Sequence, residues 1–146
     1  MTALLFVDTN VLVYAIDAAA GERHRAARRW IEALWRNQRG RLSVQVLQEF
    51  YATTTRKLRP GLAAADAQRE VRALLTWSPV EITTPILERA WHVEARYQLS
   101  WWDALIVASA QTVGCRYLLT EDLQDGQEID GLLVVSPFRM TPEDLA

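Results

Sequence analysis

Short continuous apolar runs alternate along the chain with longer stretches of helical period. Leu4-Leu5-Phe6-Val7 is unbroken, as a strand buried on both faces requires. The polar Asp8-Thr9-Asn10 and the apolar Val11 to Ile16 follow, which predicts strand, turn and helix with Thr9 or Asn10 as the N-cap. From Arg23 to Gln38, Ala27, Trp30, Ile31 and Leu34 recur at helical spacing, with a mainly basic opposite face, and Gly40 is the expected stop. Val44, Leu47, Phe50, Tyr51, Thr54 and Leu58 line a further helical face with Glu49 at its edge. Pro60-Gly61 breaks the chain before an alanine-rich helix running to about Thr76.

The second half repeats the alternation. Val80-Glu81-Ile82 predicts a short strand, and Thr84-Pro85 a helix start with Thr84 as cap, carrying Ile86, Ala90, Val93 and Tyr97 inward. Ser100 and Asp103 stand at capping-box positions before Ala104 to Ala110, apolar nearly all round and so the expected most buried helix. Tyr117-Leu118-Leu119 and Leu132 to Val135 complete the strands. Strands alternating with helices imply an α/β fold, one domain over residues 1–146, with a mostly parallel central sheet flanked by helices.

With 146 residues, half of them apolar, the chain can bury a real core. Its one cysteine, Cys115, precludes an internal disulfide framework and is expected to be buried and inert. Met1 to Asp8 carries no basic region or sustained apolar stretch, and no window supplies the ~20 apolar residues of a membrane span. A soluble, cytoplasmic protein without a membrane partner is expected. The net charge of −2 argues at first against a polyanionic partner, but arginine is concentrated between Arg23 and Arg41.

The chemistry lies in the acids. In open α/β sheets, sites gather outside the carboxyl ends of the strands. Asp8 ends the first strand, Asp122 follows Tyr117-Leu118-Leu119 after Thr120 and Glu121, and Asp103 starts a helix at the same edge; Glu49 can join them. Carboxylates gathered without nearby cations repel one another, and hard divalent ions resolve this. All-oxygen ligands suit Mg²⁺ or Mn²⁺ rather than Zn²⁺, and His24 and His92 lie outside the acidic segments. Such a centre can hydrolyse phosphodiesters with an activated water and no side-chain nucleophile. Taken singly, Asp8 reads equally as a helix cap, Asp103 as part of a capping box, Glu49 as a solvated residue and Asp122 as loop chemistry; their shared rim favours a site.

Phe6-Val7-Asp8-Thr9-Asn10-Val11-Leu12-Val13-Tyr14 resembles the opening motif of PIN-domain nucleases. Gln48-Glu49-Phe50, Trp102-Asp103-Ala104-Leu105-Ile106 and Leu119-Thr120-Glu121-Asp122 resemble that family's later motifs in order, over nearly the whole chain. The compact length is similar to VapC-type toxins of toxin–antitoxin pairs. The resemblance implies a Mg²⁺-dependent endoribonuclease, often a homodimer, held inactive by a cognate antitoxin. It also implies products with 5′-phosphate and 3′-hydroxyl ends. By matching position, Asp8, Glu49, Asp103 and Asp122 form the catalytic and metal-binding set, and Thr9 or Asn10 orients ligands or substrate. Asp125 is the candidate for a further acid, with Glu121 also adjacent.

The remaining features read two ways. Arg23, Arg25, Arg28 and Arg29 either track RNA phosphates or form a solvated face, as do Arg56, Lys57 and Arg59. Trp101 and Trp102 either stack an unpaired base or pack in the core or a dimer interface. Trp30, Trp35 and Trp91 are expected in the core. A haloacid-dehalogenase-type phosphatase would need a second Asp where Asn10 stands. A nuclease-like module that binds RNA or protein without cutting, and a PIN nuclease outside toxin–antitoxin pairs, are the alternatives.

Overall fold

The computed structural model describes residues 3–145. Its strands are β1 (Leu4–Val7), β2 (Gly40–Arg41), β3 (Cys115–Leu119), β4 (Glu128–Ile129) and β5 (Leu132–Val135). They form one sheet in the order β2-β1-β3-β5-β4, parallel except for the β4–β5 pair. The helices are α1 (Thr9–Ile16), α2 (Glu22–Asn37), α3 (Val44–Ala52), α4 (Ala64–Leu74), α5 (Thr84–Tyr97) and α6 (Trp101–Thr112).

The apolar runs are the middle of the sheet. Phe6, Val7, Leu118, Leu119 and Val135 are sealed from solvent, because β1 and β3 have a neighbouring strand on each side and the helices cover their faces. Every residue from Ala104 to Ala110 in α6 is buried, as the all-round apolar pattern predicts. Cys115 is buried too, and desolvation pushes its thiol up to about 12, the inert state expected of it.

The chain visits β1, then β2 on one side, then β3 on the other, so the strand order reverses between β1 and β3. Their carboxyl ends lie side by side, with Val7 opposite Leu119 and the Asp8 amide donating to the Leu119 carbonyl at 3.0 Å. This reversal point opens the crevice in which α/β folds bind ligands.

Several local expectations are corrected. Helix α1 begins one turn position earlier than predicted: Asp8, not Thr9 or Asn10, is its N-cap. The cap of α5 is Thr83 rather than Thr84, with no side-chain hydrogen bond. Helix α2 stops at Gln38 in the left-handed conformation (φ 60°). Gly40 lies instead in β2, where an added Cβ would sit 2.5 Å from the Trp77 ring. Val80 makes a single parallel bridge to Ser43 in place of a strand over 80–82. The apolar face after Val44 is not one helix, for α3 passes into a π-helical segment, Thr53–Lys57. Of the tryptophans expected in the core, Trp30 is there, but Trp35 is 41% and Trp91 51% exposed. Each stands at the border of its helix's buried stripe and leans on another indole: Trp35 edge-on against Trp77, Trp91 stacked on Trp101.

Candidate metal centre

Asp8 stands where β1 becomes α1. Its Oδ1 accepts from the Thr9 amide at 2.7 Å and its Oδ2 from the Thr120 hydroxyl at 2.8 Å. Only 5% of the residue is exposed. Burial pushes its carboxyl up to about 7, opposed by these two hydrogen bonds and reinforced by the charges of Asp122 and Asp103. Asp103 is the third residue of α6, whose N-cap Ser100 accepts from the Asp103 amide at 3.1 Å. Its carboxyl is also raised, chiefly by burial, against the Ser100 hydroxyl and with Asp122 and Glu49 adding repulsion. Asp122 follows β3 on a more exposed loop, its amide donating to Thr120 Oγ1 at 3.1 Å.

These three acids, more than 90 residues apart in sequence at the extremes, meet in space. One carboxylate oxygen from each of Asp8, Asp103 and Asp122 lies within 4.8 Å of the other two. Among the described residues, no lysine or arginine forms an ion pair with any of them. A buried, raised acid without a cation is the arrangement a hard divalent ion stabilises, and the donors are all oxygen. The residues fit a Mg²⁺ or Mn²⁺ ion.

Glu49 reaches the rim without entering this tight group. Its oxygens accept from Thr9 Oγ1 (2.9 Å) and Gln45 Nε2 (3.0 Å). Thr9 thus holds one of the four acids in place. Asn10 does so indirectly, donating to Thr120 Oγ1 at 3.1 Å while its own oxygen accepts from the Glu121 amide at 3.4 Å. Asp125 lies apart from the three, its Oδ1 accepting from the Ser136 amide at 2.8 Å at the end of β5. Glu121 turns away to Tyr14 and Arg23. Arg28 and Arg29 pair with Glu32 and Glu143 at 3.0 Å each, and Arg25 is exposed on the same helix.

Two residues went unassigned in the sequence. Thr120 is fully enclosed and is the hub of the site, donating to Asp8 and accepting from Asn10 and Asp122. It lies inside the segment Leu119 to Asp122, but a lone threonine carries no sign of what it will hold. Gln45 is buried and joins Glu49 to the Trp102 carbonyl (3.4 Å). Its place four residues before Glu49 on one helix was a readable signal.

The PIN domain family profile matches residues 5–128, spanning all four acids and most of the sheet. The chain belongs to the PIN domain family. Comparison with curated protein sequences finds no match. Among solved structures, this PIN domain is similar to a toxin–antitoxin complex from Klebsiella pneumoniae (28% identity, TM-score 0.59, covering 92% of this chain and 98% of that one). It also shares its fold with the DNA-bound VapBC of Salmonella typhimurium (18% identity, TM-score 0.65, 92% and 98% covered). A third likeness is to VapC20 of Mycobacterium tuberculosis, described as a sarcin-ricin-loop-cleaving toxin (23% identity, TM-score 0.56, 78% and 86% covered). Among the described residues of this PIN domain, no helix is long and apolar enough to cross a membrane.

Proposed function

We propose that this PIN domain is a Mg²⁺-dependent endoribonuclease, with Mn²⁺ able to substitute, acting as the toxin of a toxin–antitoxin pair. The observation that carries the reading is the meeting of Asp8, Asp103 and Asp122 at the reversal point of the sheet. The toxin role is supported by the likeness over almost the whole length to a toxin–antitoxin complex. A homodimer and a cognate antitoxin are the protein partners this reading carries. The exposed Trp35, Trp91 and Trp102 are the side-chain type that protein interfaces favour.

In this mechanism Asp8, Asp103 and Asp122 would hold the ion, with Glu49 able to contribute directly or through water. Such an ion would supply charge neutralisation for the phosphodiester oxygens and acidify the attacking water. Thr120 and the Thr9 amide fix the Asp8 carboxylate, so its direction is set before the ion arrives. Gln45 and Thr9 do the same for Glu49. The repulsion among the acids keeps the crevice unfavourable to an RNA phosphate until a cation is present.

The test is to incubate the purified chain with total host RNA in Mg²⁺, in Mn²⁺ and in chelator, beside Asp103→Asn, and to map new RNA ends. Metal-dependent cuts with 5′-phosphates that fall by about 100-fold or more in Asp103→Asn are expected. Cuts that persist in excess chelator would refute the mechanism. RNA binding without cuts in either metal would make the chain a binding module.

A further inference from the structure

Around the loop that follows β3 and carries Asp122 opens a polar cleft of about 530 Å³ whose walls include Arg23, Glu121, Asp125, Phe138 and Arg139. Arg23 is held at its edge from three directions. Its Nη1 donates to Glu121 Oε2, its guanidinium carbon sits 4.5 Å over the Phe138 ring, and the Tyr14 ring lies 5.6 Å away. Tyr14 in turn donates to the other Glu121 oxygen at 2.5 Å and meets Phe138 edge-on. A flexible, half-exposed side chain (52%) is therefore fixed by contacts from α1, the β3 loop and the C-terminal segment.

That fixation leaves part of the guanidinium unused. Its ion pair with Glu121 uses Nη1 alone, and the Tyr14 hydroxyl also lies against the guanidinium, so not all of its five N–H donors are taken up. A planar fork with an open edge matches a phosphate. Its position matters as much, for its partner Glu121 is the residue before Asp122, one of the three clustered acids. The other arginines near it in sequence are less suited, because Arg25, Arg28 and Arg29 do not line the cleft.

Resting on the nuclease reading above, we infer that Arg23 contacts a backbone phosphate of the RNA strand being cut, and that Glu121 positions this guanidinium rather than binding metal. The test uses the full chain carrying Asp103→Asn, so that RNA is bound without being cut, with a fluorescein-labelled single-stranded RNA of mixed sequence. Affinity is measured by anisotropy across a salt series. Arg23→Gln is expected to weaken binding about tenfold and to make the log-affinity against log-salt slope shallower by about 0.7, the loss of one phosphate contact to a single strand. Arg28→Gln, on the same helix, is expected to change neither. Adding Glu121→Gln to Arg23→Gln is expected to leave binding weak. A slope unchanged in Arg23→Gln, or full recovery in the double variant, would show that Arg23 only neutralises Glu121 and would overturn the inference while wild-type cutting stands. A parent that binds no RNA, with no cutting by the wild type, would remove the nuclease reading and this contact together.

Discussion

The Thr120 hydroxyl has one proton, and it goes to Asp8 Oδ2; its lone pairs take the Asn10 amide and the Asp122 backbone. Thr120→Val keeps the shape and removes all three bonds, leaving a buried carboxylate oxygen unpaired. Activity in saturating Mg²⁺ is expected to fall about 10- to 100-fold, with Thr120→Ser near wild type, as single-turnover RNA cleavage would measure. Asp8 itself makes the metal-free protein sensitive to pH. Its carboxyl is raised from 3.8 to about 7 in the folded chain, so between those values the folded state holds the extra proton. The stability this provides is complete below the lower value and is lost as pH rises through the upper one. Without metal, the melting temperature is therefore expected to drop from about pH 5 to about pH 8, a drop that Asp8→Asn abolishes. Thermal scans over that range, in chelator, decide it; an equal drop in the variant would assign the effect to another group.

At the scale of elements, the site depends on β1 and β3 being neighbours and on α6 starting at their carboxyl ends. These were the most legible parts of the chain, because continuous apolar runs and an all-apolar helix have few alternative burials. Strands β2 and β4 have two residues each and show no period at all; pairing with a formed neighbour creates them. Trp35 and Trp91 misled because helical spacing marks the side of a helix and not how far the adjoining layer extends over it. Gly40 illustrates the same gap: it looked like a helix stop, while its role is to let β2 approach the buried Trp77 ring. Gly40→Ala is expected to destabilise the fold by about 1–3 kcal/mol through overpacking, measurable by urea unfolding. A wild-type midpoint would show that the Trp77 ring yields freely. At the other end of the sheet, Ser100→Ala removes the N-cap of α6 and is expected to cost about 1 kcal/mol in the same measurement.

Over the whole molecule, Asp8, Asp103 and Asp122 were readable as one rim because strand ends and helix starts share an edge in a parallel sheet, whereas Glu49, on a helix flank, was readable only as able to join them. Distances separate Asp8, Asp103 and Asp122 from Glu49, which is held one layer out by Thr9 and Gln45, and from Asp125, which is occupied with Ser136. Such distinctions depend on hydrogen bonds between residues as far apart as Asp8 and Thr120, which no local pattern encodes. The same holds for Arg23, which lines the cleft while its sequence neighbours Arg25, Arg28 and Arg29 do not. The most direct measurement is calorimetric titration of Mn²⁺ into the metal-free chain and into Asp103→Asn, both checked for folding. The wild type is expected to bind Mn²⁺ and the variant to lose affinity by about tenfold or more. Equal affinity in the two, or no binding by a folded wild-type chain, would contradict a metal centre built on Asp8, Asp103 and Asp122.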